Sequence, residues 1–161
     1  MSNITLDYNS QLITNSQSQS IKLLVFTVGK LTLALPILQV QKVIKYNPLH
    51  GSGLSHVNLA HLEDRDIAVV DLHQKLFNTS LDRISENQGY FIISKNVTGE
   101  PLGILISDSP IIIELSTAQI RLIPDSYRHA DTLEIASHVT VVSQENDSKK
   151  TIFILDLSRL V

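Results

Sequence analysis

Val57-Asn58-Leu59-Ala60-His61-Leu62-Glu63-Asp64-Arg65-Asp66-Ile67-Ala68-Val69-Val70-Asp71-Leu72 decides how the rest of the chain is read. Two short apolar runs, Val57 to Leu62 and Ile67 to Val70, flank a four-residue charged run. Short strand-forming runs around such a run predict a hairpin with a solvated turn. The second run ends in Asp71, whose carboxylate can accept hydrogen bonds from the free amides of a short helix, Leu72 to Phe77. The same words return about 85 residues later: Ile154-Leu155-Asp156-Leu157, then Leu160. An apolar strand running twice into Asp-Leu and a helical turn is a weak internal repeat. It divides the chain into two similar halves, joined by the polar stretch Asn78 to Gly89.

Outward from this stretch the pattern stays short and β-rich. Leu23 to Val28 and Leu31 to Leu35 surround Gly29-Lys30, a hairpin signal, and Pro36 ends the second strand because it has no N–H to give a ladder. Val40 to Tyr46, Tyr90 to Ser94, Leu102 to Ile106, Ile111 to Leu115, Val139 to Ser143 and Ile152 to Leu155 complete the strand set. Strands this short in close succession predict a sandwich or small barrels. They do not alternate with long amphipathic helices, which argues against a doubly wound α/β sheet.

Composition narrows the function. The 161 residues suit one compact domain or two small subdomains, and 43% hydrophobic residues suffice for a core. Charged residues are 18% and the net charge is -3, without the clustered Lys/Arg that nucleic acid requires. Cysteine is absent, which removes disulfides and thiolate chemistry. No signal peptide is apparent and no apolar run approaches the roughly 20 residues of a membrane helix, so a cytoplasmic protein without membrane insertion is expected. Residues 1–20, rich in Ser, Asn and Gln, are expected to form a mobile tail.

Reactive chemistry is sparse. His56 and His61, with His50 nearby, could suggest a metal, but positions five apart on a strand face opposite ways and no carboxylates complete a ligand set. Asp71 and Asp156 have work as helix caps, and Asp108 precedes the turn signal Ser109-Pro110. No phosphate loop, nucleophile elbow or zincin motif occurs, and Gly51-Ser52-Gly53 is an ordinary loop. The expectation is a protein with no catalysis, no metal and no cofactor. A small-barrel nucleic-acid or ligand binder is the alternative, but it needs exposed aromatics on a basic face. Phe26, Phe91 and Phe153 lie inside apolar runs, where burial is expected.

The order of these motifs resembles the CheW-like family of chemotaxis coupling proteins. Leu24 to Gly29 and Leu35-Pro36-Ile37 through Val43-Ile44 are similar to the family's opening hairpin and following strand. Val57 to Leu72 is similar to its central hairpin. Gly103 to Ile106 with Leu115 to Pro124, and Ile152 to Leu157, are similar to its later segments. The resemblance runs from about Lys22 to Val161. It implies an all-β fold of two five-stranded SH3-like barrels sharing a hydrophobic interface, with short helices after Asp71 and Asp156. The barrels would be intertwined, roughly 21–77 and 90–161, with strands free to exchange. It implies a non-enzymatic adaptor joining the cytoplasmic tip of a chemoreceptor to a histidine kinase regulatory domain, in swimming, pilus or phototaxis signalling.

Departures from the family pattern alter its charged surface signatures while the core-forming pattern is kept. Glu63 stands where the family carries arginine, Asp64 where glycine is usual, and Lys42 where an acidic residue is typical. Asn58 replaces a common glycine, Ala68 a proline and Ser107 an aspartate. Reversed charges repel an unchanged partner and suit a changed one. By resemblance, Val40 and Val43 line a receptor-facing strand, and Asn58, Leu59 and Glu63 map to the coupling region. Ile111 and Ile113 are candidates for an apolar strand edge that pairs with the kinase.

Overall fold

Four runs of the sequence are apolar with little alternation: Leu23 to Phe26, Leu33 to Leu35, Phe91 to Ile93 and Leu102 to Ile106. Strands of that kind must bury both faces. The chain, described by a computed structural model for residues 19–51, 56–78, 88–124, 126 and 133–160, meets that demand with two sheets. Of residues 1–20, expected to be a tail, 1–18 lie outside the described residues and Ser20 opens the first strand; residues 79–87, most of the join between halves, also lie outside.

The strands are β1 (Ser20–Val28), β2 (Leu31–Pro36), β3 (Val40–Lys45), β4 (Leu49–Gly51), β5 (Val57–Leu62) and β6 (Arg65–Val70), followed by helix α1 (Leu72–Phe77). Then come β7 (Tyr90–Lys95), β8 (Pro101–Ile106), β9 (Ile111–Ser116), β10 (Ile120–Leu122), β11 (Ala136–Ser143) and β12 (Lys149–Leu155). Short 3-10 turns sit at Ile37–Gln39, Thr117–Gln119, Leu133–Ile135 and Leu157–Arg159.

Sheet one runs β10-β11-β12-β2-β1-β9, and sheet two β4-β5-β6-β8-β7-β3. Adding six to each strand number of sheet two, and counting on from twelve to one, gives the order of sheet one, so the repeat suggested by Asp71 and Asp156 extends through every strand. The sheets are nevertheless not consecutive halves. Hairpin β1–β2 lies with β9 to β12, and hairpin β7–β8 with β3 to β6. Each exchanged hairpin joins its sheet by a parallel pair: Leu33 beside Phe153 and Ala34 beside Ile154, then Ala68, Val69 and Val70 beside Leu102, Gly103 and Ile104. In both sheets the two outermost strands are consecutive in the chain, as expected of a sheet curled toward closure. The three-residue strands β4 and β10 are too short to leave a periodic signal and raise each sheet from the expected five strands to six.

Three apolar clusters follow. One, formed by Leu23, Val25, Ala34, Ile152 and Ile154, fills the hollow of sheet one. Another, with Ala60, Val69, Phe91, Ile93 and Leu105, fills the hollow of sheet two. The largest lies between the sheets, where Leu24, Phe26, Leu33 and Leu35 meet Val70, Ile92, Leu102 and Ile104. A fully buried Leu or Ile contributes about 1.5–3 kcal/mol, so this shared layer is the main bond between the sheets.

Local rules place the turns. Gly29 has φ +59, the left-handed value a mirror-type hairpin turn assigns to glycine, and the Phe77 ring lies over it. Asp71 accepts from the Gln74 N–H at 3.0 Å to start α1, and Asn78, left-handed at φ 57, ends it. Asp156 caps a 3-10 turn by accepting from the Ser158 N–H at 3.1 Å. The turns before β3 and β10 are secured alike: Ser94 Oγ donates to the Gln39 carbonyl, and Thr140 Oγ1 donates to that of Gln119.

Candidate functional site

The residues singled out in the first half all lie in sheet two, on its outermost strand β3, on β5 near the opposite end of the strand order, and in the β5–β6 turn. β3 is an outermost strand. Val40, at its start, is half-buried against the shared cluster, whereas Val43 is 38% exposed. Gln41, Lys42 and Lys45 are also exposed. Glu63 and Asp64 form the β5–β6 turn, and the two departures from the family's charge pattern meet there: Lys42 Nζ lies 2.6 Å from Glu63 Oε1. The hydrogen bond from Lys42 and its positive charge hold the Glu63 carboxyl below its ordinary value. The ion pair ties the free strand β3 to the turn at the end of β5.

That turn has an unusual composition. Glu63 has φ 49 and Asp64 φ 66, both left-handed. A two-residue turn with two left-handed residues favours Asn-Gly or Asp-Gly. Here both positions carry side chains that pay a steric penalty in that region, less for Asp than for Glu. Flanking the turn, His61 Nδ1 and Asp66 Oδ1 are 3.0 Å apart across the ladder.

Asn58 and Leu59 lie on β5 and are half-buried. Leu59 pairs with Ala68 on the sheet's outer face, facing an open groove of about 420 Å³. Leu102 and Leu157 give the groove apolar surface, while the exposed side chains of Arg65 and Glu100 give it charge. It is a cleft between sheet two and the 3-10 turn after Asp156.

Ile111 and Ile113 belong to the other sheet, on its outermost strand β9. They are not equivalent. Ile113 pairs with Leu23 and packs half-buried on the cluster within sheet one. Ile111 is 60% exposed, and so is its neighbour Ile112, at 59%. Ile112 had no distinguishing signal: inside the run Ile111-Ile112-Ile113, composition cannot say which side chain lacks a neighbour. Its exposure follows from β9 being outermost, with β1 on one side and, among the described residues, no strand on the other.

Among the described residues, no group of three or more His, Cys, Asp or Glu is placed to hold a metal ion. No helix is long and apolar enough to cross a membrane. Phe26 and Phe91 are buried, and Phe153 packs half-buried against the shared cluster. These rings are core, not the stacking platform a single-strand binder needs.

A family model described as CheW-like domain matches residues 22–161. No curated protein matches the sequence. Among solved structures, the crystal structure of scaffolding protein TtCheW from Thermoanaerobacter tengcongensis is similar, with a TM-score of 0.70 at 18% identity over 88% of each chain. At that identity the likeness speaks for the fold: two β sheets with a shared layer between them. The family match spans nearly all of the described strands, and the chain belongs to the CheW-like domain family.

Proposed function

We propose that this chain is a non-catalytic adaptor of a chemotaxis-type pathway, working in the cytoplasm and joining a chemoreceptor's cytoplasmic tip to the regulatory domain of a histidine kinase. One observation supports the reading beyond family membership: the chain has two exposed, chemically different edges on two different sheets. The β9 edge is apolar, with Ile111 and Ile112 open to water. The β3 edge is charged and tied through Lys42 to Glu63. An adaptor must hold two partners at once, and separate surfaces of unlike chemistry allow this without competition. An apolar strand edge suits pairing with another strand. We assign it to the kinase regulatory domain, and we assign the β3 edge, the Glu63 turn and the groove beside Leu59 to the receptor.

The test is a binding titration of the purified chain against a kinase regulatory domain and a receptor-tip fragment from the same genome. Both should bind, together and independently. Ile112→Asp should weaken the kinase domain at least tenfold and leave the receptor fragment and the thermal midpoint unchanged. If neither fragment binds the wild-type chain, the adaptor reading is wrong. If Ile112→Asp weakens the receptor instead, the assignment of edges is reversed.

A further inference from the structure

His56 sits where the chain enters β5, against the start of α1. Its carbonyl accepts the N–H of Asp71 at 2.8 Å, which ties it to the residue that caps the helix. Its ring Nε2 is closed off from water and has no hydrogen-bond partner. A neutral imidazole tolerates such a position at modest cost. An imidazolium would bring a second N–H and a full charge into it, at much greater cost. Among the described residues, the charged groups that act on the ring are Lys75, from α1, and Asp71, from its cap. Lys75 repels a cation there. Asp71 attracts one, but its carboxylate already accepts the Gln74 N–H that begins the helix. Protonation would place a second N–H and a charge at a nitrogen closed off from water, which favours a ring that leaves its place.

What depends on α1 makes this consequential. Leu72, fully buried, anchors the helix in the layer between the sheets. Phe77, at its other end, covers Gly29 in the β1–β2 turn. The helix thus bridges the exit of β6, in sheet two, and the exchanged hairpin of sheet one.

We propose that His56 is a proton-sensitive latch on α1: neutral, it lets the helix seat; protonated, it leaves its place and loosens the helix together with the cover over the β1–β2 turn. Burial holds the imidazole below its ordinary value, with Lys75 acting in the same direction and Asp71 opposing. The unfolded or opened form then binds the proton more tightly. Seating is complete above the ordinary histidine value of about 6.5 and is lost as pH falls through the lower folded-state value.

The experiment is an NMR pH titration of the full chain, with His56→Gln used to assign the ring signal, and with exchange of the α1 amides followed over the same range. His56 should titrate below about 6.5, and Lys75→Gln should move it upward. Protection of the Lys75 and Asn78 amides, corrected for intrinsic exchange, should fall at least tenfold on acidification in the wild type and stay level in His56→Gln. A His56 that titrates at or above the ordinary value overturns the latch. So does an α1 whose protection falls equally with and without the imidazole. Lys75→Gln keeps the test decisive if His56→Gln folds poorly.

Discussion

Sheet one and sheet two share one plan and are finished differently. Each inserts a hairpin from one half of the chain beside strands from the other, and each meets that hairpin through a parallel pair. At the joints the paired positions are Ala34 in sheet one and Gly103 in sheet two, both beside a β-branched residue. The finishing diverges. Sheet one has an apolar free edge at Ile111 and Ile112 and closes its last strand with a 3-10 turn after Asp156. Sheet two has a charged edge at Lys42, a strained turn at Glu63 and Asp64, and an α-helix after Asp71. Positions that face the shared layer are constrained by both sheets at once. Positions at edges and turns face water or a partner, so they can differ without loss of the fold.

The severest way to break the comparison is through the shared layer. Leu33→Ala removes a fully buried side chain there and should cost about 2–5 kcal/mol in urea unfolding, with both sheets melting together. A loss confined to sheet one would show that the layer does not couple them. The joints sharpen it next. A Cβ on Gly103 would lie 3.0 Å from Val69 Cγ2, so Gly103→Ala should destabilise by about 1 kcal/mol, although sheet one carries that same residue at Ala34. The corners come third. Asp71→Ala should cost about 1 kcal/mol, and Asp156→Ala less, because its turn is shorter and more exposed. Asp64→Gly should raise the urea midpoint, by up to about 1 kcal/mol of relieved left-handed backbone.

The smallest effect on stability, and the most informative for function, comes from exchanging Lys42 and Glu63. The Glu63 carboxyl is held below its ordinary value. Any support from the pair is therefore present above the carboxylate range, about 4.3, and disappears as pH falls through the depressed value. With both charges exchanged, the urea midpoint at pH 7 should not move. Binding to the receptor fragment should change, because the field presented at the β3 edge is reversed. Unchanged binding would remove this pair from the docking surface.

Much of this was legible in the residues. Between Leu23 and Ile106 most strands are legible nearly at their observed bounds, because turn residues such as Gly29-Lys30 and Pro36 punctuate them; β4 leaves no signal, and Arg65 and Asp66, expected in the turn, open β6. The caps at Asp71 and Asp156 were read from a carboxylate preceding Leu and a helical turn. The first residues of β11, Ala136 to His138, and Lys149 to Thr151 of β12 escape a reading by apolar runs, because one small apolar residue among polar ones makes no such run, although Ala136 is fully buried. Among site residues, Glu63 stood out by its charge. Its contact with Lys42 joins residues 21 apart in sequence, a separation no local pattern reports.

By itself, the sequence determined the class of the fold, the positions of most strands and turns, and the existence of a repeat, because apolar spacing, glycine, proline and capping carboxylates act through neighbours a few residues away. Which hairpin joined which sheet, whether Ile112 or Ile113 stayed open to water, and that Lys42 met Glu63 were decided only in three dimensions. Those outcomes depend on which surfaces the sheets bury against each other, and such burial is a property of strands brought together from opposite ends of the chain.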